Sequence, residues 1–207
     1  MKLQYKKYII FLLGIAILTL GVSMTVKSDI GAGSYDSINF AVADMLNIKV
    51  SLAISITSFI VLIIAAFIRR EAPRITTFIT SVIMGLFTDI WVKIVDLIQV
   101  NTILNKGLVF IVGMVLVCFG IALYMIPKLP TNPTDDLMVA LTEKKISIKR
   151  AKMTIDIICI VLAFILKGPI GIGTIVLTFL VGPTVDIFHN ILIKYINFNK
   201  VDESLSI

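Results

Sequence analysis

The chain has 207 residues, of which 58% are hydrophobic and 15% charged, with a formal net charge of +6 and a mean hydropathy of +1.03. Soluble domains lie nearer roughly half apolar and a quarter charged, so these proportions exclude an ordinary soluble enzyme, a disordered chain and a disulfide scaffold. One histidine, two cysteines and no Cys-x-x-Cys spacing also exclude His-based zinc sites, haem ligation and Cys/His catalytic clusters.

A helix that crosses a bilayer needs about 20 mostly apolar residues. Six segments meet or approach that length: 8–26, 50–68, 75–95, 107–126, 151–167 and 170–193. Apolar residues surround each of them, as suits a helix in lipid. The first follows Lys2, Lys6 and Lys7. Its apolar run exceeds the about 7–15 residues of a signal peptide, and no small-x-small cleavage site follows closely, so it is expected to be a retained span. Next comes DIGAGSYDSINFAVADML, 29–46. Gly31 and Gly33 permit a tight turn, and a short amphipathic helix then carries Asp36 in its first turn. Gly85 and Asp89 share one face of the third span, four residues apart.

The fourth span carries Gly113 and Gly120, seven apart like Gly14 and Gly21 in the first, which suits close helix packing. The loop PKLPTNPTDDLMVALTEK, 127–144, then repeats the plan of the first loop. Asn132 suits an N-cap, Pro133 the first helical turn, and Asp135 and Asp136 follow inside it. Asp36 and Asp135 have two readings. They cap their helices, or they line a polar cavity and contact a solute or coupling cation. The short helices are either interfacial or re-entrant. Asp156 stands about six residues into the fifth span, where an ionisable group is costly and a functional candidate. Lys152 is its expected ion-pair partner on the same face. The run KGPIGIGT, 167–174, reads as a tight turn, with Thr174 at the head of the sixth span as a helix cap or small-anion contact. That span ends the pattern with Gly182 and Asp186. His189, Trp91 and Tyr124 are assigned packing or interfacial anchoring, and Cys118 and Cys159 burial as small hydrophobes.

With six spans, Lys and Arg divide fourteen against five between the two sides, which places both termini in the cytoplasm. The basic clusters are topology signals and not a nucleic-acid surface. The halves also match each other. At an offset of 99, Phe11, Gly14, Gly21, Asp36 and Ala41 meet Phe110, Gly113, Gly120, Asp135 and Ala140. At an offset of 97, Thr77, Gly85 and Asp89 meet Thr174, Gly182 and Asp186. Two repeats, 8–99 and 107–196, each with three spans, must enter the membrane from opposite sides. The expected fold is therefore all-α: one polytopic membrane domain of two inverted three-span repeats, each with a short helix after its first span.

The segments GAGSYDSI (31–38), PTNPTDDLM (130–138), KGPIGIGT (167–174) and VGPTVDI (181–187) resemble the YczE/YyaS/YitT family of bacterial integral membrane proteins. The chain departs from that pattern at Ser34-Tyr35-Asp36, where members often show Pro-Trp-Asp, and at Pro130 and Asn132, where glycines are usual. The resemblance implies a six-helix protein of the bacterial plasma membrane, of the YczE type without a cytosolic C-terminal domain. It supplies neither substrate nor catalytic residue.

The expected function is secondary transport of a small solute by alternating access. Substrate contacts would come from Asp36, Asp135, Asp136, Asp156, Asn132 and Thr174; hinges and packing from Gly31, Gly33, Pro133, Gly85, Gly182, Asp89 and Asp186. Two alternatives are a substrate-binding membrane subunit of an energy-coupled importer and a non-transporting protein that assists envelope or secondary-metabolite biosynthesis. No enzyme activity, cofactor or metal is expected, since no His-Glu-x-x-His or Gly-x-Ser-x-Gly occurs. Expected partners are the lipid bilayer, an unidentified small solute and, for a homodimer, a second copy; nucleic acid is not one.

Overall fold

The computed structural model describes residues 2–196, which form eight helices and, among the described residues, no strand. They are α1 (Lys2–Lys27), α2 (Ser34–Leu46), α3 (Val50–Arg69), α4 (Ile75–Val95), α5 (Ile103–Met125), α6 (Pro133–Glu143), α7 (Ile148–Ile165) and α8 (Ile172–Tyr195). Thr102 caps α5 by accepting from the Asn105 N–H, and Asn132 caps α6 by accepting from the Asp135 N–H. Asp29, Asn47, Arg70, Lys128, Lys145 and Lys167 turn the chain out of its helices at φ between 51° and 67°, a region few non-glycine residues enter. The last three repeat the first three at offsets of 99, 98 and 97.

Five helices are long and apolar enough to cross a membrane: α1, α3, α4, α5 and α8. The sixth expected segment folds as α7, whose 18 residues hold Lys149, Arg150, Lys152 and Asp156. The outer faces of the long helices present large apolar side chains, such as Phe67 at 84% exposure and Ile103 at 90%. Water would not tolerate so extensive an apolar exterior on a monomer. The chain is a multi-pass membrane protein.

At the centre α1 and α5 run antiparallel. Gly14 lies against Tyr124, Leu18 against Gly120, Gly21 against Val117 and Thr25 against Gly113. A Cβ on Gly21 would fall 2.6 Å from the Gly113 carbonyl oxygen, so only glycine allows this approach. Shifting by 99 converts Gly14–Tyr124 into Gly113–Thr25, and Gly21–Val117 into Gly120–Leu18. Phe11, Ile15, Leu18 and Val22 of α1 complete the core with Val117, Tyr124 and Phe40, and Phe11 meets Tyr124 edge to face at 6.1 Å.

The other pairings also recur. α1 packs on α4 as α5 packs on α8; α3 packs on α6 as α7 packs on α2; α2 meets α3 as α6 meets α7. The most extensive pairing without an equal is that of α3 with α4; α7 and α8 form no comparable contact. Cys118 and Cys159 are both free and buried.

Candidate functional site

The long helices and the two short ones enclose a cavity of about 520 Å³. Its size lies within the roughly 300–1,000 Å³ range of small-molecule sites. Asp36, Asp135, Asp156 and Asn132 line it; Asp136 and Thr174 do not.

α2 reaches the cavity because the chain before it is pinned. Gly31 sits at φ +137°, against Thr174 and Gly171, a conformation and a proximity that favour glycine. Gly173 N–H donates to the Ile30 carbonyl, and Ala32 N–H to that of Pro169, both at 3.0 Å. The turn before α8 thus clamps the entry to α2. Thr174 is fully buried and its hydroxyl accepts from Gly171 N–H at 3.2 Å, so it serves the turn and stands away from the cavity.

Three polar residues then fix α2 in place. Ser34 donates to Asp156 at 2.8 Å, and Asp156 pairs with Lys152 at 3.1 Å, as the four-residue spacing predicts. The Tyr35 hydroxyl lies 3.1 Å from both Thr57 and Ser58 of α3. Thr57 donates to Asn39 at 2.6 Å. Asp36, between these anchors, lines the cavity with no hydrogen bond or ion pair to its carboxylate, and Gly33 leaves room beside it. It does not cap α2, whose N-cap is Gly33. Burial pushes its carboxyl up to about 6.

α6 presents Asp135 from the opposite repeat position. Asn132 holds its backbone N–H, with Pro133 buried in the first turn, and the Tyr124 hydroxyl donates to its carboxylate at 3.0 Å. Burial raises this carboxyl too, against the hydrogen bond from Tyr124 and the charge of Lys152. Asp136 points elsewhere, as neighbours on a helix must. It is 4% exposed and held by Arg69 at 2.9 Å and Arg74 at 3.1 Å, with Glu143 on the far side of Arg69. This buried cluster docks α6 on α3.

The matched Gly and Asp of the last spans part company. Gly85 packs on Ser51, whose N–H and hydroxyl donate to Asp89 at 3.0 and 2.5 Å. Gly182 has no neighbour where its Cβ would be, and Asp186 is exposed at the edge of the cavity. Val139, Lys152 and Asp186, one from each of α6, α7 and α8, are exposed members of its lining, so the cavity opens to the surface beside these helices.

Sequence reasoning assigned Tyr124 to packing; its hydroxyl is instead a polar group of the cavity. Tyr35, Ser34 and Asn39 were also not singled out. For Ser34 and Tyr35 a signal existed, since both adjoin Asp36 in GAGSYDSI.

The sequence pattern of a family of unknown function, DUF6198, matches residues 5–190. An uncharacterized protein of Bacillus subtilis strain 168, YyaS, is 32% identical over 191 residues, covering 91% of this chain and 95% of its own. An uncharacterized protein of Haemophilus influenzae is 26% identical, covering 92% and 87%. The uncharacterized membrane protein YczE of Bacillus subtilis is 25% identical, covering 85% and 82%. No solved structure matches the chain.

Proposed function

The chain belongs to the DUF6198 family, whose function is unknown, and from its own geometry we propose that it is a secondary transporter of a small solute, working by alternating access between two inverted three-helix repeats. In this reading α7 is the sixth span. Its charges gather in the first turns, where Lys149, Arg150 and Lys152 reach the cytoplasmic surface, and Asp156 is neutralised by Lys152. Both termini then lie in the cytoplasm, following the distribution of Lys and Arg. The protein performs no covalent chemistry.

One observation carries the reading. The two halves bear the same Gly-x-x-x-Asp element, yet one seam beside the cavity is shut and the other is open. Ser51, Gly85 and Asp89 join α3 to α4; Gly182 and Asp186 stand free of α7. Two copies of one unit in two conformations are what alternating access requires, because exchanging the conformations moves the opening to the other side. With α7 entering from the cytoplasm, the open seam faces inward. The recurring helix pairings and left-handed turns support the repeat itself.

The test needs no substrate. In a chain freed of Cys118 and Cys159, Asp36→Cys should react with a membrane-impermeant maleimide from the cytoplasmic face of inverted vesicles. A smaller fraction should react from outside intact cells. Adding a Ser51→Cys/Asp89→Cys disulfide should abolish the outside reaction and spare the inside one. Labelling from one face only, with or without the disulfide, removes alternating access.

A further inference from the structure

The lining of the cavity has an uneven charge. Asp36, Asp135, Asp156 and Asp186 contribute to it, against Lys152 as the one basic side chain among the described residues. Lys152 is engaged by Asp156, and Ser34 takes the other oxygen of that carboxylate. Asp135 has a single hydroxyl donor, and Asp36 has no donor at all. A carboxylate held in an apolar enclosure without donors is costly unless a cation or a proton arrives. Low-dielectric walls around charges of one sign concentrate the field on the opening, which draws cations in and repels anions.

The uncharged part of the lining is equally particular. Tyr35, Phe40 and Tyr124 bring aromatic rings to the same space, and Val22, Ile54 and Val117 supply aliphatic wall. Ring faces attract ammonium groups, with Tyr and Phe both effective. Such walls give nothing to a bare metal ion, and no group of three acidic, His or Cys side chains converges to hold one among the described residues.

We infer that the cavity selects a small organic cation, its ammonium head drawn to the donor-free carboxylate of Asp36, with Asp135 adding negative charge to the same cavity and the apolar body lying on the aromatic and aliphatic wall. The inference rests on the transport reading only in taking the cavity as a solute site. Lys152 and Asp156 are then a self-neutralised pair that positions α2 through Ser34, and the solute replaces the missing counter-charge of Asp36.

The test uses the full chain in mild detergent at about pH 8, above the value of about 6 to which burial raises Asp36. Thermal melting is followed with choline and phenyltrimethylammonium as cations. The uncharged carbon isostere dimethylbutanol and the anion dimethylbutanoate serve as controls. The cations should raise the melting temperature by a few degrees, and the controls should not. Asp36→Asn should raise the cation Kd at least about tenfold, while Asp36→Glu keeps most of the response and Asp44→Asn, on the exposed face of α2, keeps all of it. If Asp36→Asn does not fold, Asp135→Asn is the second neutral variant, with the same expected loss. Equal stabilisation by the alcohol or the anion, no response to either cation, or unchanged cation binding in a neutral variant overturns the cation assignment. None of these outcomes bears on two-sided labelling of Asp36→Cys, which tests transport separately.

Discussion

A carboxylate without donors leaves a signature in its pH dependence. Asp36 has a carboxyl raised to about 6 by burial, against the ordinary 3.8. The folded state therefore binds its proton more tightly than the unfolded state does, and the stability of the empty protein falls as pH rises between those two values. Above about pH 6 the cost is fully present, so Asp36→Asn should melt higher than the parent at neutral pH without ligand. Cation affinity runs the opposite way. It should be constant above about pH 6 and drop by up to about tenfold for each pH unit below that value, as Asp36 loses its charge. The titratable groups that share the cavity with Asp36 are Tyr35 on its own helix, Tyr124 of α5, Asp135 of α6, Lys152 and Asp156 of α7 and Asp186 of α8, and Cys159 of α7 also lies within reach of its charge. Cation titrations across that range, with melting curves of both proteins, check the two trends together. A variant that melts no higher, or an affinity indifferent to pH, would show that Asp36 has solvation the cavity does not display. Asp36 and Asp135 could be found in the sequence because they recur at one offset in a setting where acids are expensive. Tyr124 could not, since a tyrosine at a helix end has many ordinary uses, and only the turn of α6 back onto α5 brings its hydroxyl to Asp135.

Among the elements, the docking of the short helices differs most between the halves. α6 is tied to α3 by Arg69 and Asp136, with side chains 2% and 3% exposed. α2 is tied near the end of α7 through Ser37, whose hydroxyl donates to the Pro169 carbonyl at 3.2 Å and whose own carbonyl crowds Gly168. Ser37 and Asp136 are equivalent by the offset of 99, so one half docks its short helix with an ion pair where the other uses backbone contact. Removing one partner of a buried pair strands the other charge, at a cost of about 3–5 kcal/mol, whereas an apolar pair of similar volume is often neutral. Asp136→Leu alone should therefore destabilise strongly in denaturant melts, because Arg69 is left without its main partner. The double variant Arg69→Met/Asp136→Leu should regain most of that loss. Additive losses would mean that each residue has its principal contact elsewhere. The sequence places Asp136 beside Asp135 and invites one role for both. What separates them is helix geometry, which turns adjacent side chains apart, and a partner 67 positions away that no local pattern reveals.

For the whole molecule, the all-helical membrane architecture is legible in the sequence and the asymmetry between its halves is not. Glycine and aspartate recur at fixed offsets, and the helix order and most packing partners follow from them. Which seam is shut does not follow, because both halves carry the closing element and a sequence holds no record of a conformation. Its residues do say what the reversed state must use. Ser51, which binds Asp89 in the shut seam, corresponds to Lys149 at the head of α7, as the helix starts Val50 and Ile148 correspond, and Asp89 corresponds to Asp186. Closure of the second seam would bring Asp186 against that first turn. There the free N–H groups, the helix dipole and the Lys149 ammonium all favour a carboxylate. Gly182 would let the two backbones approach as Gly85 does on Ser51. Exchange between the states predicts that the seams close in turn and never together, since a doubly shut cavity would have to find new packing for α4 and α8 at once. In a chain lacking Cys118 and Cys159, Lys149→Cys/Asp186→Cys should form a disulfide slowly, from a minor population, and a cation that fills the cavity should alter its rate. With Ser51→Cys and Asp89→Cys also present, intact-mass analysis of single chains should find one crosslink or the other. A substantial fraction carrying both would mean that the open seam is a local feature of α7 and α8, independent of the state of the other half.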